Sequence, residues 1–471
     1  MKATPSAPTK PASSEFDPAL VRRFDGPGPR YTSYPTADRF VEAFGDEAYR
    51  ASLQRRNVGG AARPLSLYVH VPFCATLCFY CGCNKIVTRD RGRADTYLSF
   101  LEREAMLQRV ALGGATAPVV QMHWGGGTPN FLTLAQTAAL VKMLREHYDF
   151  APDGEYSIEI DPRSADAARV AQLAALGFNR MSVGVQDFDP DVQRAINRIQ
   201  SEAQTAEVVQ AARAHGFASV NIDLIYGLPR QTSLGFNRTL ARVIALAPDR
   251  IALYSYAHLP RAFKPQRRIN ESELPAPEAK LKLLELAIRR LSEAGYLHIG
   301  MDHFALPGDA LAVAQRQGRL YRNFQGYTTR GDCDLVGLGV SAIGAVAATY
   351  SQNHRTLPEY WEALDRGELP VMRGLELTAD DLARRAVIQA LMCQFAVSKE
   401  GIEEAWLLDF DRAYATELAE LEEFERLGLV VREPRWLTVT PRGRFVVRAI
   451  AMVFDRYLRA DRERRRYSGI I

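Results

Sequence analysis

The sequence predicts an α/β protein: a parallel, partly closed barrel of six βα units, with an arm before it and a mainly helical domain after it. Three observations predict this. Six short apolar, β-rich runs alternate with helical patterns between residues 65 and 256. The leading residues, Met1–Glu15, are rich in Pro, Ala, Ser and Thr and carry no such rhythm. From about Leu357 the rhythm gives way to helical periodicity with one short β pair.

The elements follow in order. Residues 1 to about 28 read as an arm, and Pro29-Arg30-Tyr31-Thr32-Ser33-Tyr34-Pro35-Thr36 as a loop pinned to something else; arm and capping segment together fill 1–64. The strand-like runs are Leu65–Val71, Val119–Trp124, Tyr156–Ile160, Arg180–Val185, Ser219–Ile225 and Arg250–Tyr256. Between them lie the helical stretches Ala94–Val110, Leu134–His147, Ala165–Ala175, Glu202–His215 and Gly235–Leu246. Strands each followed by a crossover give a parallel sheet buried on both faces. Right-handed crossovers roll it into a TIM-like partial (βα)6 barrel, open enough to admit a bulky ligand, with its chemistry beyond the C-terminal strand ends. A long helix, Ala276–Ala294, and a strand-like run, Tyr296–Phe304, complete a barrel spanning 65–305. Residues 306–356 are Gly-rich, with a loop at Asn323–Gly344 near the site. Residues 357–471 read as helices (Asp380–Phe395, Phe410–Leu427), a β pair (Val430–Arg432, Leu437–Val439) and a final helix, Gly443–Leu458: a winged-helix-like module. The basic run Arg459–Arg466 reads as a solvated helix end.

Composition bounds the function. Lys plus Arg is 59 and Asp plus Glu 55, so the net charge of +4 over 471 residues argues against a protein built around a nucleic-acid backbone. Met1–Glu15 has no apolar signal-like core, and the longest nearly uncharged stretch, Leu335–Tyr350, is broken by Gly337, Gly339 and Gly344. A cytoplasmic protein without a membrane span is expected.

Of 6 cysteines, Cys74, Cys78, Cys81 and Cys83 fall within ten residues, while Cys333 and Cys393 stand alone and read as ordinary thiols. Cys74-Ala-Thr-Leu-Cys78-Phe-Tyr-Cys81 directly follows the first strand. Three thiolates at this spacing each suit one iron of a 4Fe–4S cube and leave the fourth iron open. A zinc site using Cys83, or a closed four-thiolate cluster, are the competing readings; zinc motifs usually draw ligands from two distant pairs. Gly125-Gly126-Gly127-Thr128-Pro129 ends the second strand, where bare backbone suits an amino-acid-like group. Glu159, Gln186, Arg198 and Asp223 sit in or just past apolar strands, where a carboxylate needs a partner such as a ribose diol.

These residues resemble the radical S-adenosylmethionine (SAM) superfamily, and within it the oxygen-independent coproporphyrinogen III oxidase (dehydrogenase) family. Arg30–Thr36, Tyr68–Cys74, Cys81-Gly-Cys-Asn84, His123-Trp-Gly-Gly-Gly-Thr-Pro129, Gly300–Phe304 and Asn323–Thr329 carry the resemblance. The related haem-chaperone branch lacks the last cysteine and the Arg30–Thr36 segment; a chaperone, or a radical SAM protein acting on another tetrapyrrole, is the alternative. The resemblance implies Cys74, Cys78 and Cys81 as cluster ligands, with Cys83 not a ligand. It implies Tyr68, Tyr80, Gly126, Gly127, Thr128, Glu159, Gln186, Arg198, Asp223, Ala257 and Ile343 as lining sites for two SAM molecules. It further implies decarboxylation of two propionates of coproporphyrinogen III to vinyls through a 5′-deoxyadenosyl radical, giving protoporphyrinogen IX in haem biosynthesis. An unidentified low-potential electron donor and a monomeric state are expected. Arg30, Arg267 and Arg268, with Arg261 and Lys264 nearby, are candidate contacts for the substrate's carboxylates. His70 reads as a hydrogen-bonded neighbour of the cluster loop, and Asp302 and His303 as residues whose relation to the substrate is open.

Overall fold

The computed structural model describes residues 16–56, 63–113 and 117–460. The N-terminal stretch 1–15 and the tail 461–471, including most of the basic run, lie outside them.

Six βα units follow one another: β1 Leu65–Val71, α1 Gly92–Ala111, β2 Val119–Gly126, α2 Leu134–His147, β3 Phe150–Ile160, α3 Ala167–Ala175, β4 Arg180–Gln186, α4 Glu202–Ala214, β5 Ser219–Tyr226, α5 Ser233–Leu246, β6 Arg250–Ser255 and α6 Pro277–Glu293. Start signals are local. Thr133 and Ser201 each cap a helix by accepting from the backbone N–H three residues on, while Gln136 and Gln204 reach back to the cap. β1 to β6 pair in order, all parallel. Leu67, Val69, Trp124, Ile158, Val183, Ile222 and Leu253 lie in one core with Leu101, Leu140, Val170 and Leu240 of the surrounding helices. The hydrophobic side of each helix therefore faces the sheet, and the barrel's inner face is left for polar side chains.

The sheet continues past both ends of the six-strand set, to twelve strands among the described residues. Beyond β6 come the antiparallel strands His303–Ala305 and Leu297–Gly300. On the other side Asp334–Leu338 pairs parallel to β1, followed by Ile343–Val346, Thr349–Asn353 and Val371–Glu376 as an antiparallel meander. The stretch expected as Gly-rich loop is thus partly sheet. Its glycines permit close strand approach: a Cβ on Gly337 would lie 2.7 Å from the Ile343 carbonyl oxygen. A separate ribbon, Tyr321–Asn323 against Gly326–Thr328, folds over the barrel opening.

The chain then forms a second core. The long helix Ala379–Gln394 leads into a three-stranded sheet of Ala396–Ser398, Trp436–Val439 and Val430–Arg432, with short helices between. The stretch expected as one last helix is broken into Val447–Met452 and Arg456–Ala460. Asp455 causes the break, since its carboxylate accepts from the N–H groups of Tyr457 and Leu458 and so starts a new helix. The arm packs on this module: Phe16 meets Phe445 edge-on, Phe24 stacks on Phe424, and Tyr31 donates to Asp455 at 3.0 Å. No helix among the described residues is long and apolar enough to cross a membrane.

Candidate active site

The chain leaves β1 and at once forms a closed lobe. Phe73–Cys74 pairs with Ile86–Val87, so residues 75–85 are tied at their base. Three contacts fix the lobe to the barrel mouth: Asn197 Nδ2 donates to the Leu77 carbonyl at 2.7 Å, the Phe79 N–H donates to the Ile196 carbonyl at 2.9 Å, and Gln266 Nε2 donates to the Tyr80 carbonyl at 2.9 Å. Cys74, Cys78 and Cys81 then line one cavity of about 390 Å³, with Tyr80, Gly127, Thr128, Arg163 and Arg198. Arg163 Nη2 and Arg198 Nη1 stand 3.6 and 3.7 Å from Cys78 Sγ. These guanidiniums favour thiolate and the negative charge of a thiolate-held group. Both also pair with Asp161, at 2.6 and 3.4 Å; burial works against that carboxylate's charge, yet the two cations hold its pKa below the usual range.

Burial pushes the Cys74 thiol up to about 11, whereas hydrogen bonding from Cys83 brings Cys81 down to about 6. Among the described residues no three ligating side chains converge on one point, as a single metal ion requires. Three thiols spread around a cavity suit instead the corners of an iron–sulfur cube. Cys83 does not line this cavity; it lines the neighbouring one.

That neighbour, about 430 Å³, is walled by Tyr68, His70 and Cys83 on one side, Gly126, His123 and Glu159 on another, and Arg30, Arg322, Phe324 and Ile343 across from them. His70 holds the two together. Its Nδ1 is 3.0 Å from the Tyr68 hydroxyl and its Nε2 3.0 Å from the Asn84 carbonyl, and burial lowers its pKa. The glycine run has a structural part in this: at Gly126, with φ of +118°, a Cβ would lie 2.7 Å from the His70 ring, and at Gly127 it would lie 2.6 Å from the Pro72 carbonyl oxygen. The Gly127 N–H donates to the Val71 carbonyl at 2.8 Å, so that donor is already engaged. A third, smaller cavity of about 160 Å³ continues down the barrel interior and shares Glu159, His123, Tyr254 and His303 with the second. Asp223 lines it, accepting from Ser182 at 2.8 Å and Asn221 at 2.8 Å; burial raises its pKa to about 6.

Known proteins place this arrangement. The Radical SAM superfamily model matches residues 68–242 and the HemN C-terminal domain model residues 377–446. An oxygen-independent coproporphyrinogen III oxidase of Pseudomonas aeruginosa is 50% identical over 461 residues, 97% of this chain and 99% of its own. That of Escherichia coli is 48% identical, again over 97% of this chain and 99% of its own. The solved structure of coproporphyrinogen III oxidase (HemN) from E. coli, a radical SAM enzyme, superposes with a TM-score of 0.89 at 48% identity, covering 94% of this chain and 99% of that one. The chain belongs to the oxygen-independent coproporphyrinogen III oxidase family.

Within that family frame, the expected residues divide by cavity. Tyr80, Gly127, Thr128 and Arg198 stand with the three thiols; Tyr68, Gly126, Glu159, Ile343 and Arg30 line the second cavity; Asp223 lies below. Gln186, with φ of +69°, ends β4, and the Ala257 carbonyl just past β6 accepts from Gln266 at 3.2 Å; neither lines these three cavities. Arg267 and Arg268 do not join Arg30. Both are exposed, Arg267 donating to the Pro260 carbonyl and Arg268 lying over the Phe79 ring on the outer side of the cluster lobe. They belong to a 3-10 turn whose inward residue is the buried Gln266, which leaves its neighbours facing solvent. Sequence reading gave no role to Asp161, Arg163, Tyr254 and Arg322, and quoted His123 only within a motif. Asp161 and Arg163 directly follow β3, and that position past a strand end was the available signal; the others declare themselves only when strands far apart in sequence meet.

Proposed function

We infer that this chain carries out the oxygen-independent oxidative decarboxylation of two propionates of coproporphyrinogen III to vinyl groups, yielding protoporphyrinogen IX in haem biosynthesis. One observation carries the reading: a cavity ringed by Cys74, Cys78 and Cys81 at the barrel mouth opens beside a second, larger cavity, Gly127 lining one and Gly126 the other. When bound, a 4Fe–4S cluster and SAM supply a 5′-deoxyadenosyl radical, to which the propionate β-carbon yields a hydrogen atom before CO2 and one further electron leave.

The chain's own residues prepare that chemistry. Cys74, Cys78 and Cys81 would hold the cluster, and Arg163 and Arg198 offset its charge. Asp223 and Glu159 offer carboxylates for hydroxyl groups, and Thr128 sits 3.4 Å from Cys74 Sγ where a ligand end would arrive. Tyr68, Phe324 and Ile343 give the second cavity apolar walls that exclude water from a reactive species. Two cavities side by side support two SAM molecules, one against the cluster and one beside it.

The test is anaerobic incubation of reconstituted protein with coproporphyrinogen III, SAM and a low-potential reductant. The expected product is lighter by two CO2 and two pairs of hydrogens, with 5′-deoxyadenosine and methionine formed alongside. A product gaining methyl groups, or 5′-deoxyadenosine without tetrapyrrole conversion, overturns the reading.

A further inference from the structure

We propose that Arg322, with Arg30 beside it, forms a carboxylate anchor on the wall of the larger cavity and takes a propionate of the substrate; the proposal rests on the reaction just inferred. Arg322 lies in the ribbon over the barrel mouth and is only 3% exposed. It is held stiffly. Gln389 brackets its backbone, accepting from its N–H at 3.1 Å and donating to its carbonyl at 2.7 Å. Its Nε donates to the Arg30 carbonyl at 3.1 Å, and its guanidinium lies over the Tyr327 ring at 4.7 Å. Yet among the described residues neither terminal nitrogen donates to an acceptor, and Nη1 is wholly buried in that state. A buried donor on a charged group without an acceptor is strongly unfavourable, and native proteins rarely keep one without reason.

The surrounding charge sharpens the case. Arg30, Arg322 and Arg448 all lie close enough to Asp302 to hold its carboxylate below the usual range against burial, and Arg30 forms its ion pair. Arg448 is pushed down to about 10, by burial first and then by Arg30. The side on which Arg30 and Arg322 face open space is the cavity of about 430 Å³. Arg322 lines that cavity, and a guanidinium with an unsatisfied terminal nitrogen suits a carboxylate that reaches it. The same wall carries Tyr254 and Phe324, suited to the face of an apolar macrocycle.

A carboxylate could also come from the amino-acid end of SAM, and the experiment separates the two. Equilibrium binding of coproporphyrin III, the fluorescent oxidised form of the substrate, and of SAM is measured on anaerobically reconstituted wild type, Arg322→Met and Arg322→Lys. Arg322→Met should weaken coproporphyrin III binding about ten- to a hundredfold. Arg322→Lys should recover part of the loss, and SAM affinity should stay within about twofold of wild type. The tetrakis-amide of coproporphyrin III should bind wild type and Arg322→Met alike. A fall in SAM affinity with coproporphyrin binding intact overturns the substrate assignment in favour of the cosubstrate. Unchanged affinity for both, in variants that keep the cluster absorbance, overturns the anchor. If Arg322→Met does not fold, Arg322→Lys carries the test. Wild-type turnover is read separately by product mass, so failure of the reaction and failure of the anchor are distinguishable.

Discussion

Asp223 shows how one buried carboxylate serves a site at the expense of the fold. Its folded pKa of about 6 lies above the unfolded value near 4. Between those values the native chain holds more protons than the unfolded one, so this group's contribution to stability falls as pH rises and is fully unfavourable above pH 6. Asp223→Asn should therefore stabilise the protein by about 1–3 kcal/mol at pH 8 and by almost nothing at pH 4. Urea unfolding at the two pH values checks this; an equal effect at both would contradict it. The same variant should weaken SAM binding roughly tenfold at pH 8, because an amide is a poorer acceptor for a ribose diol than a carboxylate. A second residue-scale prediction concerns the thiols. Cys78→Ser should lose the iron–sulfur absorbance on reconstitution, while Cys83→Ser should keep iron near the wild-type content, since Cys83 faces the other cavity; equal iron loss in both would contradict the assignment of ligands. Cys74, Cys78 and Cys81 were legible because their ligand spacing is local. Arg322 was not, because its significance lies in a buried terminal nitrogen that has no acceptor among the described residues, visible only once Tyr327, Gln389 and Arg30 have closed around it.

At the scale of elements, the six parallel strands were legible because the positions facing the helices repeat apolar residues at every second place, as in Leu65, Leu67, Val69, Val71 and Val220, Ile222, Leu224, Tyr226. The strands from Asp334 to Asn353 were not. Gly337 and Gly344 mimic a loop although they pack against neighbouring strands, while Gly339, with φ of +100°, does turn the chain after Leu338. Besides its pairing with β1, this extension is tied to the barrel by Glu104 of α1, which is fully buried. It accepts from the Gly339 N–H at 2.7 Å, Asn353 Nδ2 at 2.6 Å and the Tyr360 hydroxyl at 2.6 Å, and burial raises its pKa to about 7. Unlike the Ser182 hydroxyl beside Asp223, which can turn and accept, the Gly339 N–H and the Asn353 NH2 can only donate. Glu104→Gln should cost about 2–4 kcal/mol, by placing an NH2 against one of these groups. The urea midpoint should fall accordingly, and SAM stoichiometry should decline as the strand carrying Ile343 loosens; a loss below about 0.5 kcal/mol would show that Glu104 is not the joint.

At the scale of the whole molecule, the arm and the C-terminal module form one cover over the barrel. Val21, Tyr31 and Tyr34 of the arm belong to the same core as Val387, Leu391, Ile450 and Phe454, and not to the barrel core. The cover meets the barrel through Arg30 and Asp302, and through the Tyr350 hydroxyl, which donates to the Tyr34 carbonyl at 3.2 Å. Asp455 is the knot, since it accepts from Tyr31 of the arm and also starts the last described helix. Removing its carboxylate takes one acceptor from the buried Tyr31 hydroxyl and from two helix-end N–H groups, a local loss of about 2–4 kcal/mol. Because the core of β1 to β6 is distinct from the one that holds Tyr31 and Phe454, although Leu281 of α6 and Ala305 of the sheet belong to the latter, that loss should stay local. In Asp455→Ala, amide hydrogen exchange should quicken in residues 29–36 and 456–460 while β1 to β6 keep their protection. The cluster should assemble as in wild type, since no residue of the arm or of the C-terminal module lines its cavity. Uniformly faster exchange across the barrel strands would show instead that cover and barrel unfold as one unit, and the cover would then have no independent motion through which a large substrate could enter.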